Sequence, residues 1–384
     1  VTHIRERAFR NQKGIKTITL PSTLLYIGES AFLDCDVESV NLPDGLNEIG
    51  EYAFAGSAIT SINIPASVAA VGTRAFDTPT LTAVTVNGII ANLDAETFGS
   101  EFDGYTWELG CAYLGNASNP NIILVKADNS GRSYTLPTVK VKQIADYAFY
   151  GCDKLSSIQI PTSVEYIGAH AFEDCTSLYQ VELGSSVKVI GTGAFGNCYK
   201  LYEVINRSTL NIEAGSSNYG GIAKHAFNVS TGGASIITKT ADGFVFMTRT
   251  LKVGEVQSEA VDTELYFLIA YDGEGGEISL PTSFNGNKYR VYNSAFTGRT
   301  DVTKIKIDKA AIAADRLYVN SIPYYSFENS AFWLDNGAKL AIEFNGTKDE
   351  WNNISKYYYT DGTGKWYGTT KVTVTCTDGT LQFN

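Results

Sequence analysis

The stretch from Leu155 to Cys175 reads LSSIQIPTSVEYIGAHAFEDC, and copies of it decide the fold of this 384-residue chain. Each copy carries the dipeptide Ala-Phe, which returns through most of the repeats in steps of 22 or 23 residues. A repeat of this length is typical of a solenoid, in which stacked coils share one core. Further copies, complete up to the glycine, occupy residues 15–28, 37–50, 59–72 and 178–191.

The residue types of one copy explain its shape. Residues 17–20 alternate polar and apolar, which is the period of a strand with one buried face. Pro21 has no N–H and ends the strand. Gly28 is expected to adopt a positive φ in a turn, and the Ala-Phe pair to pack inward. The shared frame predicts parallel strands at 16–20, 38–42, 60–64, 156–160 and 179–183.

These coils resemble the BspA-like leucine-rich repeats of bacterial cell-surface proteins, which read L-x-x-I-x-I-P-x-S-V-x-x-I-G-x-x-A-F-x-x-C. Residues 345–351 and 374–379 are similar to the family's closing G-T-x-x-x-W and V-x-C-x-D-G segments. The resemblance implies a right-handed, mostly β leucine-rich-repeat solenoid, with parallel strands on the concave face and short turns or 3₁₀ segments elsewhere. It also implies a secreted or surface-attached adhesion protein of a host-associated bacterium, and it brings no catalytic residues.

Two stretches interrupt the repeats. We interpret 1–100 and 144–228 as leucine-rich repeats, and 101–143 and 229–294 as expanded coils. Residues 295–384 are interpreted as the last repeats and a C-terminal cap, with residues 340–344 as a last strand. Terminal repeats must cover the open end of a stack. All five segments are expected to form one continuous solenoid.

The charge of the chain restricts its partners. A net charge of −11 argues against nucleic acid or an anionic membrane surface, because both attract a surplus of Lys and Arg. No apolar run approaches the roughly 18 residues of a membrane span. The chain starts inside a repeat at Val1, and we expect a preceding segment to have carried a secretion signal. The extracellular or cell-surface location that the resemblance implies is compatible with these properties, and we expect a monomer.

Most of the cysteines share one slot, four residues after the repeat alanine. Cysteines so placed are either zinc ligands or disulfide partners, or small buried side chains stacked along the core. The second interpretation is favoured because C-x-x-C spacing is absent, so three of them are expected to be reduced and inaccessible. The cysteines in the slot are Cys35 and those three, Cys152, Cys175 and Cys198, while Cys111 and Cys376 lie outside it.

The other candidates for chemistry are weak. His170 and His225 precede Ala-Phe in a slot expected to face solvent, where a metal ligand or catalytic base is improbable. Residues 191–196 match G-x-G-x-x-G, but the string is part of the repeat and lacks the strand and helix of a dinucleotide site. Residues 362–365 likewise lack the first half of a phosphate loop. We expect no enzyme and no cofactor.

Two groups of residues leave alternatives open. The carboxylates Asp272, Glu274 and Glu277 flank glycines and are either a Ca²⁺ site or, more plainly, a solvated acidic turn. Aromatic residues crowd the C-terminal region, where they form either a cap over the last coil or a platform for sugar rings. These aromatic residues are Tyr357, Tyr358, Tyr359, Trp366 and Tyr367.

The candidate binding surface is the outer face of the predicted strands. The two polar residues that flank each central apolar residue must point away from the core. They form either a solvated face without a partner or a contact surface for a host or bacterial surface protein, with a glycan as the other ligand class. They are Thr17, Thr19, Ser39, Asn41, Ser61, Asn63, Ser157, Gln159, Gln180 and Glu182.

Overall fold

The computed structural model describes residues 1–251, 263–292, 295–296, 299–313, 339–354 and 371–383. The chain divides into two compact units, Val1–Ala234 and Ser235–Asn384, called unit 1 and unit 2 below. The repeat dipeptide at 331–332, the string at 362–365 and the aromatic residues 357–359, 366 and 367 lie outside the described residues. The five sequence segments and their joining into one solenoid stay predictions.

Unit 1 is a β-solenoid whose strands belong to a few short sheets. Besides the strands it contains 3₁₀ turns at Ala95–Phe98 and Tyr219–Gly221. The strands in chain order are β1 (His3–Ile4), β2 (Thr17–Thr19), β3 (Tyr26–Ile27), β4 (Ser39–Asn41), β5 (Glu48–Ile49), β6 (Ser61–Ile64), β7 (Ala70–Val71), β8 (Ala83–Val86), β9 (Thr106–Glu108), β10 (Cys111–Leu114), β11 (Ile123–Ala127), β12 (Gln143–Ile144), β13 (Ser157–Gln159), β14 (Tyr166–Ile167), β15 (Gln180–Leu183), β16 (Val189–Ile190), β17 (Glu203–Asn206) and β18 (Asn228–Ser230).

Each repeat contributes two strands to two parallel rows. One row consists of β2–β4, β6–β8 and β13–β15–β17–β18. The other consists of β1–β3–β5–β7 and, further along, β12–β14–β16. The five predicted strands are present within their predicted ranges and pair in parallel with their neighbours, so this prediction is confirmed. The predicted fold class, a mostly β repeat solenoid with short turns, is also confirmed.

The turns after β2, β4, β6 and β13 in the first row begin at proline. The N–H of Leu24 donates to the carbonyl of Pro21, and that of Leu46 to the carbonyl of Pro43. Val164 and Pro161 repeat the same bond. Since proline lacks an N–H, the ladder stops there and the chain turns toward the second row.

The glycine that ends each frame does not adopt a positive φ, so the prediction for Gly28 is wrong. Its role is close packing, because a Cβ on Gly28 would lie 2.5 Å from the nitrogen of Glu6 in the preceding coil. The left-handed backbone occurs two residues later, at Ser30 (φ 53°) and Tyr52 (φ 54°). The main chain of neighbouring coils therefore meets at the glycine, and the turn follows it.

The Ala-Phe pair fills the interior as predicted. Phe32 and Phe54 stack with ring centroids 5.1 Å apart, and Phe149 and Phe172 at 4.8 Å. Ala31 in front of Phe32 is fully buried, which leaves room for the stacked rings. Such offset-stacked rings join the apolar strand residues in one core that runs through unit 1.

Repeats of 22 and 23 residues differ in one turn. Two steps separate Cys35 from the apolar residue Val37, but three separate Cys175 from Leu178. In the longer repeat the N–H of Leu178 donates to the carbonyl of Cys175 at 3.1 Å, which closes a turn around the extra residue. The strands on either side keep their parallel register.

The interruption at 101–143 contains an antiparallel hairpin, β9–β10, and a strand β11 that runs parallel to β12. Gln143, which is fully buried in β12, ties this region to an earlier coil. Its Oε1 accepts from the N–H of Ile90 at 2.8 Å, and its Nε2 donates to the carbonyl of Ile90 at 2.6 Å. The side chain thus satisfies the two backbone groups that a neighbouring strand would satisfy.

Unit 2 combines a long antiparallel hairpin with a parallel sheet, and it has a core of its own. The elements of unit 2 are β19 (Ile237–Lys239), β20 (Phe244–Leu251), β21 (Thr263–Tyr271), β22 (Gly276–Ser279), β23 (Arg290–Val291), β24 (Val302–Ile307), β25 (Leu340–Phe344), α1 (Lys348–Asn353), β26 (Val372–Cys376) and β27 (Gly379–Phe383). The sheet order is β22–β24–β25–β26–β27, parallel except for the last pair. Helix α1 begins after a capping box between Thr347 and Glu350 and buries Trp351.

Residues 340–344 form a strand as predicted, but two further strands follow it. They pair with each other in antiparallel register, Val372 with Phe383 and Cys376 with Gly379. Cys376, which had no place in the repeat frame, is buried in this hairpin, and Cys111 is buried in β10.

Candidate binding face on the parallel strands

The outward direction of the candidate residues follows from their buried neighbours. The central residues of β4, β6 and β15 are buried, with Val40 8%, Ile62 3% and Val181 0% exposed, and Ile18 of β2 is half-buried. Their flanking residues therefore point to the other face of the sheet. Most candidates are exposed, while Ser157, Gln180 and Glu182 are half-buried. Their outward direction agrees with the prediction, and their role in binding stays a prediction.

The N-terminal part of this face is uncharged. Thr17 pairs with Ser39 and Thr19 with Asn41 across β2 and β4. Ser61 stands opposite Ala83 in the next pair of strands. Exposed hydroxyl and amide groups in rows at strand spacing offer many hydrogen-bond donors and acceptors without a fixed charge.

One ion pair borders this uncharged area. The Nζ of Lys16 lies 2.8 Å from Oε1 of Glu38, one residue before the strands begin. The hydrogen bond and the charge of Glu38 raise the pKa of Lys16. Both side chains are exposed, so the pair adds little stability. The ion pair thus places two charged side chains at the edge of the uncharged face.

Asn63 is the one candidate in the N-terminal part that is tied to a neighbouring amide. Its Oδ1 accepts from Nδ2 of Asn87 at 2.8 Å. Asn116 donates in turn to Oδ1 of Asn87 at 3.1 Å. The chain of carboxamides links the sheet face to the loop between β10 and β11, so Asn63 is positioned before any partner arrives.

The C-terminal part of the face is organised around a carboxylate. Oε1 of Glu182 lies 2.6 Å from Nε of Arg207 and accepts from Gln159 Nε2 at 3.3 Å. The guanidinium neutralises the one acidic residue among the candidates. Charge-assisted bonds of this kind are stronger than neutral ones, which keeps the Glu182 side chain in one position.

A second carboxylate, Glu203, lies on β17 in the same row of strands. The sequence analysis did not identify it as a candidate. It is fully buried in β17 and accepts from Gln180 at 2.7 Å and from Asn228 at 2.9 Å. The signal was present, because Leu201 lies 23 residues after Leu178 and Val204 keeps the frame. Asn206 stands where the second apolar residue of the strand is expected, so this copy of the repeat was not recognised.

The thiol ladder has no features of a reactive or metal-binding site. All six cysteines are free and buried, so Cys152, Cys175 and Cys198 are inaccessible as predicted. Burial raises the pKa of Cys152 and of Cys198 to about 12. Among the described residues, no group of His, Cys, Asp and Glu is arranged to hold a metal ion.

The remaining candidates are accounted for by local contacts. Nδ1 of His170 lies 2.7 Å from Glu173, and burial lowers the pKa of His225. Residues 191–196 lie in the turns after β16, and the described residues that directly follow them form further turns and not a helix. The Asp272 side chain is 4% exposed and pairs with Lys239 at 3.1 Å, so the expectation of a solvated turn is wrong for this residue.

The repeats also match a known family. A family model for the BspA-type leucine-rich-repeat region matches six copies, over residues 1–102 and 128–232, which is more than half of the chain. The chain belongs to the BspA-type leucine-rich-repeat family. The resemblance inferred from the frame and from the Ala-Phe dipeptide is thereby confirmed.

Several solved structures are similar to this BspA-type chain. A leucine-rich cell-surface protein from Faecalibacterium prausnitzii is 21% identical, with a TM-score of 0.26 and coverage of 91% of this chain and 65% of that one. A leucine-rich-repeat protein from Bacteroides ovatus is 18% identical, with a TM-score of 0.25 and coverage of 81% and 83%. The pneumococcal vaccine antigen PcpA is 14% identical, with a TM-score of 0.28 and coverage of 92% and 81%. No protein with a curated description matches the chain.

Since all three TM-scores are below 0.5, the family assignment rests on the repeats of the chain itself. The BspA-type chain spans about two thirds of the length of the Faecalibacterium protein. Within its described residues, no helix is both long and apolar enough to cross a membrane.

Proposed function

We propose that this BspA-type chain is a non-catalytic binding scaffold at the surface of a host-associated bacterium or secreted by it. The partner is a protein, bound across the exposed face of β2, β4 and β6. The family and a similar structure described as a cell-surface protein support the location. The observation that carries the contact is the uncharged row of exposed hydroxyl and amide side chains at strand spacing.

The contact is broad and made of many weak polar interactions. The exposed face lacks aromatic anchors at the paired positions of β2 and β4, so single alanine changes have small effects. A change that adds charge and bulk across several strands is needed to disrupt it. Thr19, Asn41 and Ser61 suit this purpose, because each is exposed and they lie on three different strands.

The test measures adhesion of beads coated with the chain to an epithelial cell layer. The triple variant Thr19→Arg, Asn41→Arg and Ser61→Arg is expected to lose adhesion with little change in Tm, since its side chains are exposed. A control with Thr73→Arg, Thr192→Arg and Ser217→Arg adds the same charge at exposed positions away from the strands. Equal adhesion of the two variants would remove the sheet face as the binding surface.

A carbohydrate ligand at the C-terminal aromatic residues 357–359, 366 and 367 stays a prediction, as does membership in a larger surface enzyme. Those aromatic residues lie outside the described residues. The absence of cofactor and of catalysis, and the monomeric state, likewise stay predictions.

A further inference from the structure

Three tyrosines stand out on the turns of unit 1, away from the sheet face. Tyr147, Tyr150 and Tyr199 are 48%, 51% and 50% exposed, although tyrosine rings usually bury most of their surface. They lie next to the repeat dipeptides at 148–149 and 194–195, with the coil of residues 171–175 between them. Together with Asp174 and Asn197 they are called the tyrosine platform below.

Hydrogen bonds join one hydroxyl of the platform to a carboxylate on the neighbouring coil. The hydroxyl of Tyr199 donates to Oδ1 of Asn197 at 2.9 Å, and Nδ2 of Asn197 donates to Oδ1 of Asp174 at 2.9 Å. Asp174 also raises the pKa of Tyr150 through a hydrogen bond and its charge. The polar tips are held at one edge, so the rings are ordered before a ligand binds, which reduces the entropy cost of binding.

Ring contacts hold the other side of the platform. The ring of Tyr147 stacks on His170 with centroids 5.0 Å apart and packs edge-on against Tyr150 at 5.8 Å. His170 is fixed in turn by Glu173, 2.7 Å from its Nδ1. The ring of Tyr199 lies 5.4 Å from that of His225. Aromatic surface is thus spread over several successive coils.

The fold does not require aromatic residues at these turns. The slot that holds Tyr147 and His170 has a left-handed backbone, with φ of 58° and 55°. The equivalent slot holds Arg7 and Arg74 in other coils with the same backbone, both with φ of 55°. The coil therefore accepts different side chains there. The slots of Tyr150 and Tyr199 likewise hold Asp77 and Asp36 in other coils, so the aromatic rings in this group of coils need an explanation other than folding.

We propose that the tyrosine platform binds a neutral oligosaccharide. Flat rings with exposed apolar faces suit the apolar face of a sugar ring, and the neighbouring carboxylate and amide groups suit its hydroxyls. The carboxylates of Glu173 and Asp174 disfavour an anionic sugar. Tyr150 and Tyr199 lie two coils apart, which is roughly 10 Å along the stack at strand spacing, so a ligand that reaches both rings must span at least two sugar units.

The test uses isothermal titration calorimetry with neutral tetrasaccharides of glucose, N-acetylglucosamine, galactose and mannose, and with sialyllactose as an anionic probe. We expect at least one neutral tetrasaccharide to bind with a Kd of about 0.1–1 mM, and sialyllactose not to bind. Tyr147→Ala, Tyr150→Ala and Tyr199→Ala should each weaken binding about tenfold. Tyr150→Phe keeps the ring and should weaken it less, by about two- to threefold.

Tyr52→Ala is the matched control, because Tyr52 occupies the same left-handed slot as Tyr147 in a coil outside the platform. It should bind like the wild type, and all of these variants should keep nearly the wild-type Tm. The proposal is overturned if no neutral tetrasaccharide binds, if sialyllactose binds equally well, or if Tyr150→Ala and Tyr199→Ala leave binding unchanged. The triple arginine variant of the sheet face should keep sugar binding, which separates the two proposals.

Discussion

The thiol of Cys175 donates a hydrogen bond to the carbonyl oxygen of Phe149, 3.2 Å away. Cys198 and Phe172 repeat the contact at 3.1 Å, and Cys35 and Phe9 at 2.8 Å. Donor and acceptor are 26 residues apart in each case, so the thiol of one coil binds the repeat phenylalanine of the coil before it. The cysteine slot is therefore a hydrogen-bonding position between coils, and the small size of the residue is only part of its role.

Replacing Cys175 with alanine should lower the free energy of unfolding by about 1–2 kcal/mol, because a bond between coils is lost and a small cavity forms. The carbonyl of Phe149 keeps one donor, the N–H of Cys152 at 3.1 Å. Ser57→Ala is the control in the same slot. Within the described part of the chain the Ser57 hydroxyl is buried without a hydrogen-bond partner, so its removal should be neutral or stabilising. Equal destabilisation by both changes in urea unfolding would contradict a role for the thiol hydrogen bond.

The buried thiols should make stability fall at high pH. Burial raises the pKa of Cys111, Cys152 and Cys198 to about 12, whereas an unfolded thiol titrates near 8.5. Between these values the folded protein holds more protons than the unfolded chain, so stability decreases as the pH rises. The decrease is at most about 1.4 kcal/mol per thiol and pH unit.

Urea unfolding from pH 8 to 10.5 measures this slope. A variant with alanine at all three positions removes their contribution and leaves that of lysine, tyrosine and the other thiols, of which Cys175 also has its pKa raised by burial. Its slope should therefore be shallower than that of the wild type. At pH 8 the thiols of the wild type should react with a disulfide reagent only as fast as the protein unfolds. Rapid labelling of the native protein would show that these thiols are accessible.

Gly50 should not accept a side chain. A Cβ there would lie 2.5 Å from the nitrogen of Glu29, a backbone atom that cannot move without shifting the neighbouring coil. Gly50→Ala is therefore expected to cost about 2–4 kcal/mol. Gly45→Ala lies in the same coil, where the nearest atom would be 3.4 Å away, and it should have little effect on Tm.

Gln143→Leu should destabilise unit 1 by about 2–4 kcal/mol, because both backbone groups of Ile90 would remain buried without their partner. Gln159→Leu is the control, since Gln159 is exposed in β13 and makes only one longer bond, to Glu182. Hydrogen exchange measures the effect locally, and the Ile90 amide should exchange faster in Gln143→Leu alone. Unchanged protection of that amide would show that Gln143 does not hold it.

The residues that alternate with a fixed period could be assigned from the sequence, and those that depend on a neighbouring coil could not. Thr17 and Ser39 were placed on the outer face because strand alternation decides direction locally. The role of Gly28 was misread, because what it touches is the backbone of Glu6, 22 residues earlier.

The structure of the interrupted regions was harder to predict from the sequence, because it too depends on residues that are distant in the chain. Residues 122–125 are all apolar, which is typical of a buried strand. No local pattern indicates that β9 and β10 pair in antiparallel register before it. No periodic pattern marks Gln143, because its role is to form hydrogen bonds with the backbone of Ile90, 53 residues away. Glu203 would have joined the candidate face if Asn206 had been apolar.

The turn that closes around the extra residue between Cys175 and Leu178 has a consequence for how such a chain changes in length. The added residue lies before the next strand starts, and the stretch from Leu178 to Gly191 has the same length as that from Val37 to Gly50 in the shorter repeat. An extra or missing residue at this turn therefore does not change which side chains of the next strand face the core. An inserted or deleted residue at this turn is a local event, whereas the same change between a strand and its glycine would exchange the inner and outer side chains of that coil. Tolerance to changes in length should therefore be concentrated at a single point in each coil.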